Sequence, residues 1–134
     1  MLALPVAALL AHLHGNLELS LGALSASPKG DTVITRAMIV RGDSIFHGKL
    51  AGGLCFTCHG SDARGIAGLG PNLTDDKWLH GDGSYDFLVS LVERGVPKPK
   101  QSAAPMLPKG GANLTAEQVR AVAAYVFSLS HKIP

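Results

Sequence analysis

The sequence predicts a small all-α domain, and three observations support this expectation. Apolar residues recur at helical spacing in three separate segments, a capping box opens the last of them, and no alternation with a period of two persists. Of the 134 residues, 46% are hydrophobic and 16% are charged, as in a globular chain. We therefore expect about four helices around one core, in one domain preceded by a leader.

Residues 1–30 are predicted to be a leader and linker, and residues 31–134 the folded domain. The apolar run from Met1 to Ala11 resembles the centre of a signal peptide, although no Lys or Arg precedes it. A retained amphipathic extension and a membrane anchor are the alternatives, but the run is shorter than the roughly 20 residues that span a bilayer. Ser25 to Gly30 contains the helix-breaking residues of a linker.

The first helix is predicted from Thr32 to about Gly48. Four residues at helical spacing form its buried face: Met38, Gly42, Ile45 and Phe46. Glycine inside a helix costs about 1 kcal/mol relative to alanine, so Gly42 indicates a place where another helix crosses closely.

Two further helices are predicted from their end signals. The second extends from Tyr85 to Arg94, with Ser84 as its N-cap and Gly95 at its end. The capping box Thr115–Gln118 opens the last helix, which is expected to reach about Ser130. The glycine-rich segment Ser61–Gly70 is predicted to be a loop that covers one edge of a ligand, with a flexible surface loop as the alternative. The proline-rich segment Val96–Pro108 is predicted to be a stiffened loop.

The stretch Cys55-Phe-Thr-Cys58-His59 is typical of covalent attachment of a c-type haem. Each thiol can add to one porphyrin vinyl group, and the histidine then lies beneath the iron. A bare disulfide, a redox dithiol and half of a zinc site are the alternatives. Zinc would need a second pair of ligands, and a redox dithiol a βαβ context, and the sequence indicates neither. Haem attachment is the interpretation we favour.

Four segments follow one another along the chain: Gly42–Phe46, Cys55–His59, Gly70–Leu73 and Ala104–Pro108. In this order they resemble the segments of a class I cytochrome c domain. The resemblance covers about Thr35 to His131 and implies the class I fold, in which the N- and C-terminal helices cross, here at Gly42 and Tyr125, around one covalently bound haem c.

The resemblance also implies how the iron is held. The carbonyl of Pro71 would accept the Nδ1 proton of His59, leaving Nε2 for the iron. Met106, in its proline-flanked loop, would be the sixth ligand, with His80 as the main rival. Three other candidates are expected to serve the fold instead: Met38, His47 and His131.

Trp78 has two interpretations. Its indole N–H can only donate, and the resemblance implies a haem propionate as the acceptor. Plain core packing is equally open.

Histidine and methionine together favour ferrous iron, so the expected function is one-electron transfer between respiratory or dehydrogenase partners, as a carrier and not as an enzyme. One alternative is a fixed haem subunit of an oxidase or dehydrogenase complex, because Gly42–His47 and Gly70–Leu79 resemble cytochrome subunits of haem-copper oxidases. A haem enzyme or a sensor with an open sixth position is the other.

Three lysines near the methionine loop could steer an acidic redox partner, or could simply add solubility: Lys98, Lys100 and Lys109. The net charge of +2, with no basic run and 5% aromatic residues, gives no indication of nucleic acid binding. Covalent haem attachment normally takes place outside the cytoplasm. We therefore expect a periplasmic or otherwise exported protein that contacts a membrane only through a partner complex or an uncleaved leader.

Overall fold

The computed structural model describes residues 33–133, so the predicted leader lies outside the described residues. This part of the chain contains four α-helices and a short 3₁₀ turn: α1 (Arg36–Phe46), α2 (Phe56–His59), α3 (Tyr85–Arg94), the 3₁₀ turn (Pro108–Gly111) and α4 (Ala116–Ser130). Two isolated β-bridges are the only extended pairing within residues 33–133. The all-α fold is as predicted, and none of the helices described is long and apolar enough to cross a membrane.

Helix α1 is shorter than the sequence predicts at both ends. Thr35 caps it, with Oγ1 accepting from the backbone N–H of Met38 at 3.2 Å, so the helix begins after this residue. At the other end His47 is the C-cap, and Gly48 follows with a φ of +74°. Helical spacing had extended the prediction beyond both caps, since periodicity does not mark a helix end.

Helices α3 and α4 have the predicted bounds because their end signals are local. The Ser84 hydroxyl accepts from the N–H of Phe87 at 3.3 Å, and Gly95 ends α3 with a φ of +69°. In α4, Thr115 and Gln118 form both hydrogen bonds of the capping box.

The crossing of α1 and α4 forms the centre of the core. Gly42 is buried against α4, where a Cβ atom would overlap the backbone carbonyl of Ala121 and the side chain of Tyr125. One turn further along α1, the ring of Phe46 lies 5.2 Å from that of Tyr125. The Tyr85 hydroxyl of α3 donates to the carbonyl of Arg120 at 3.1 Å, which attaches the third helix to α4. The predicted crossing at Gly42 is therefore present.

His47 connects α1 to the segment that follows α2. Its Nδ1 lies 2.9 Å from the backbone carbonyl of Asp43 and 3.0 Å from the carboxylate of that residue, while Nε2 lies 2.8 Å from the carbonyl of Ser61. Both ring nitrogens thus face acceptors, and the protonated ring can donate to both sides. The Ser61 carbonyl is the main cause that raises the pKa of His47, Asp43 adds to it, and burial and Lys49 oppose it.

Replacing Gly42 by Ala should lower the free energy of unfolding by about 1–3 kcal/mol, because the new methyl group meets backbone that cannot rotate away. This cost exceeds the gain in helix propensity of about 1 kcal/mol. Urea unfolding of the haem-loaded protein measures the change. Val40→Ala, on the exposed face of the same helix, is the control and should stay within about 0.5 kcal/mol. Equal stability of the two variants would contradict a close crossing.

His47 should make the protein more stable at mildly acidic than at mildly alkaline pH. Its folded pKa lies above the ordinary value, so the stabilisation is complete below that value and is lost as the pH rises through the folded pKa. Urea midpoints across about pH 5 to 8 should therefore fall with increasing pH, and His47→Gln should flatten this slope. His131→Gln, which removes an exposed imidazole, should retain it. A slope that survives His47→Gln would disprove the assignment.

Candidate haem site

The three residues of the attachment motif lie on one helical turn. Cys55 is the N-cap of α2, and Cys58 and His59 follow at spacings of three and four residues, which lie on the same side of a helix. Both thiols are free. Gly60, with a φ of +79°, ends the turn at once. No group of three or more His, Cys, Asp and Glu side chains in residues 33–133 is arranged to hold a metal.

The imidazole of His59 is held in one orientation. Its Nδ1 lies 3.0 Å from the carbonyl of Pro71. The ring is buried, which lowers its pKa, and the Pro71 carbonyl opposes this only in part. A neutral ring that donates from Nδ1 keeps the lone pair of Nε2 free for a metal. The hydrogen bond predicted from the sequence is present.

This bond depends on a close approach of two backbone segments. A Cβ atom on Gly70 would overlap the carbonyl of Cys58 and press on Nδ1 of His59, and one on Gly65 would overlap Pro71. Sequence reasoning did not assign these glycines, although a glycine directly before the proline is the signal that points to such contact.

A cavity of about 320 Å³ opens beside α2. Cys55, Cys58 and His59 line it together with Met106. Helices α1, α3 and α4 supply apolar walls: Phe46, Leu88, Val92, Val122 and Val126. The predicted attachment and ligand residues therefore share one apolar cavity.

The backbone of Met106 is fixed to the end of α3. Val96 donates to the carbonyl of Met106 at 2.8 Å, and Met106 donates back to Val96 at 3.1 Å. A Cβ atom on Gly95 would overlap the carbonyl of Met106, so the two segments pack without space between them. The side chain of Met106 is half-buried and packs against the core.

The loop over residues 61–70 borders the same cavity. Leu69 and Gly70 line it, and Ala103 donates to the carbonyl of Gly68 at 3.1 Å, which joins this loop to the methionine segment. Leu69 remains 44% exposed. The loop thus forms one border of the cavity, as a covering loop is predicted to do.

Trp78 and His80 also line the cavity, and both are half-buried. The indole of Trp78 lies against Gly83 and packs partly on the core. Its N–H finds no acceptor among residues 33–133. The structure thus brings both candidates for the sixth ligand, Met106 and His80, to one cavity.

The three lysines predicted as a rim differ in their surroundings. Lys109 donates to the carbonyl of Leu114 at 2.8 Å and forms an ion pair with Glu93 at 3.2 Å, and its side chain is only 26% exposed. Lys98 and Lys100 are exposed, and neither forms an ion pair within the described residues. Lys109 is therefore engaged inside the protein, which the local sequence did not reveal.

These residues fit a covalent haem c. Two free thiols on one helical turn, a neutral imidazole with an available Nε2, a thioether and apolar walls are the set of groups that such a haem uses. No feature of the cavity conflicts with it.

The comparisons with known proteins agree with this fit. Residues 41–126 match the family described as cytochrome c oxidase, cbb3-type, subunit III. The subunit CcoP of a cbb3-type cytochrome c oxidase from Rubrivivax gelatinosus is 45% identical over 76 residues, covering 57% of this chain and 22% of that protein. The subunit FixP from Bradyrhizobium diazoefficiens is 33% identical over 122 residues, covering 88% of this chain and 40% of that protein. The chain spans well under half the length of either relative.

Solved structures of cytochromes c share the fold. Cytochrome cL from Methylophaga aminisulfidivorans is similar with a TM-score of 0.56 and 24% identity, over 85% of this chain and 74% of that one. Cytochrome cL from Hyphomicrobium denitrificans gives a TM-score of 0.53 at 19% identity, over 73% and 52%. At these identities the likeness shows the fold alone.

The helical fold, the attachment motif and the family match lead to one assignment. The chain belongs to the family of cbb3-type cytochrome c oxidase subunit III, and its domain is a class I, monohaem c-type cytochrome that binds haem c covalently through the Cys55–Cys58 motif.

Proposed function

We propose that this domain carries single electrons as a fixed haem domain of a cbb3-type oxidase complex. Electron transfer is supported by one observation: a buried neutral imidazole, a thioether and two thiols line the same apolar cavity. The family match favours the complex. The free shuttle, which the sequence alone placed first, becomes the second candidate, and the domain catalyses no reaction by itself.

Haem c, when bound, supplies an iron that changes between ferric and ferrous states by one electron. Cys55 and Cys58 would hold it covalently, and His59 would ligate through Nε2, oriented by Pro71. Met106 would be the sixth ligand, with its backbone held by Val96. Both ligand residues are thus positioned by backbone hydrogen bonds before an electron arrives. Apolar walls exclude water, which keeps rearrangement small.

Trp78 is proposed to donate its indole N–H to a haem propionate. The indole lines the cavity, and its N–H forms no hydrogen bond within residues 33–133 and is not a buried unpaired donor, so it remains able to donate to a group on a bound haem. Partial packing of the ring on the core is compatible with this role.

An acidic partner surface is proposed to dock near Lys98 and Lys100. Lys109 is left out of this rim, because Glu93 already neutralises its charge. We further propose that residues 31–134 are the exported domain and face the periplasm. Membrane contact would come through the partner complex or through residues 1–30.

Replacing Met106 by Ala should open the sixth position. The reduced variant should then bind carbon monoxide readily, whereas the parent protein should not, because the thioether no longer competes for the iron. Titration of the reduced protein followed by absorption spectroscopy measures this difference.

His80→Ala is the matched control, since His80 lines the same cavity. It should leave carbon monoxide binding and the reduction potential almost unchanged. If His80→Ala opens the iron and Met106→Ala does not, the axial ligand is His80 and the assignment is wrong.

Affinity purification of the full-length protein from its native membranes should recover a haem-copper oxidase in fixed stoichiometry, identified by its haem spectrum and by mass spectrometry. A protein that elutes alone and reduces the oxidase only by collision would support the shuttle instead.

The same preparation tests whether Lys98 and Lys100 attract an acidic partner. Charge reversal at Lys98 and Lys100 together should slow electron transfer to the acidic partner at low ionic strength and leave the optical spectrum unchanged. The difference should shrink as the Debye length falls from roughly 30 Å at 0.01 M salt to about 10 Å at 0.1 M. Arg36→Glu with Lys132→Glu, at exposed positions on other elements, controls for net charge.

A further inference from the structure

Lys109 has an unusual position for a surface lysine. It lies three residues after Met106, and its ammonium reaches back to Glu93 on α3 and across to the carbonyl of Leu114, the residue before the cap of α4. A charged donor shared between a carboxylate and a carbonyl holds more strongly than a neutral hydrogen bond. The turn after Met106 is thereby attached to α3 and to the segment that leads into α4.

The backbone at this point would not keep its shape on its own. Lys109 has a φ of +56° and a ψ of +24°, and Gly110 and Gly111 continue with φ values of +64° and +82°. Glycine adopts this left-handed conformation freely, but a lysine in it is disfavoured. The surrounding contacts must therefore maintain it.

Met106 is consequently held from both sides. On its N-terminal side the loop is proline-rich, and the residue itself is paired with Val96 by two hydrogen bonds. On its C-terminal side, Lys109 is the first residue whose charged side chain contacts another element, namely Glu93 of α3. Both attachments lead to the C-terminal part of α3.

We propose that Lys109 is a positioning residue for Met106, whose ammonium fixes the turn at residues 108–111 and so keeps the thioether in the cavity. This inference rests on the proposed role of Met106 as sixth ligand. It assigns Lys109 to ligand placement and not to partner docking.

The experiment compares Lys109→Met with Lys132→Met in the haem-loaded ferric protein. Both changes remove one ammonium and keep an unbranched apolar chain, but only the first breaks the contacts with Glu93 and Leu114, and Lys132 is exposed and does not line the cavity. Imidazole can bind the iron only when Met106 has left it, so its affinity reports the fraction of open protein. Lys109→Met should bind imidazole about tenfold more tightly than the parent, which corresponds to about 1.4 kcal/mol. Lys132→Met should not differ.

Two further variants test the mechanism. Lys109→Arg keeps the charge and the donors, so it should restore most of the parent's behaviour. Glu93→Gln removes the ion pair but leaves the hydrogen bond to Leu114, so a smaller increase in imidazole affinity is expected. If Lys109→Met does not mature with haem, Glu93→Gln takes its place in the comparison.

A second measurement does not depend on the iron. Hydrogen exchange at the paired amides of Val96 and Met106 should accelerate in Lys109→Met, because local opening becomes easier, and remain unchanged in Lys132→Met.

Met106→Ala distinguishes a wrong ligand assignment from a wrong role for Lys109. If it leaves imidazole binding unchanged, Met106 is not the ligand and the proposed function fails at that step. If it strongly increases binding while Lys109→Met does not, the ligand is correct and the role of Lys109 is disproved. Equal increases in Lys109→Met and Lys132→Met would also overturn the proposal, since loss of any surface charge would then suffice.

Discussion

The hydrogen bond between Nδ1 of His59 and the carbonyl of Pro71 is the constraint on which the site depends. It fixes the ring and leaves Nε2 available, while burial lowers the pKa of the imidazole and so favours the neutral ring. The bond is possible only because the chain returns to α2 within twelve residues. That return requires glycine at positions 65 and 70, where any side chain would strike backbone. The glycine content of this loop is thus a requirement for close contact and not a sign of a loose connection.

The helix crossing and the site are parts of one packed unit. Gly42 lets α1 approach α4, which places Phe46 one turn later against Tyr125. The ring of Phe46 also lies 6.5 Å from that of His59 and lines the cavity. Phe46 is thus a single aromatic residue that connects the helix crossing to His59. A loss of packing at the crossing is expected to change the surroundings of that imidazole.

Much of this arrangement was predictable where the determining signals are local. The bounds of α3 and α4 follow from Ser84, Gly95 and the Thr115 capping box, each of which acts within four residues. Helix α2 has four residues, too few for any periodicity, and only the motif marks its position. The pairing of Val96 with Met106 and the contact of Lys109 with Glu93 join residues ten and sixteen positions apart in the sequence. Such contacts depend on the path of the loop, which propensities do not encode.

The chemistry of the cavity and the choice between shuttle and complex are determined by different parts of the molecule. A thioether, an imidazole and apolar walls would serve a diffusing carrier as well as a fixed subunit, because both exchange one electron across the haem edge. The exposed side chains and the similarity to known oxidase subunits are what distinguish a diffusing carrier from a fixed subunit. Lys98 and Lys100 face solvent within a dozen residues of Lys109, which turns inward to Glu93. The three lysines near this loop therefore differ in their surroundings. Lys98 and Lys100 form no ion pair within the described residues and are available for the proposed docking, whereas Lys109 is engaged by Glu93 and Leu114.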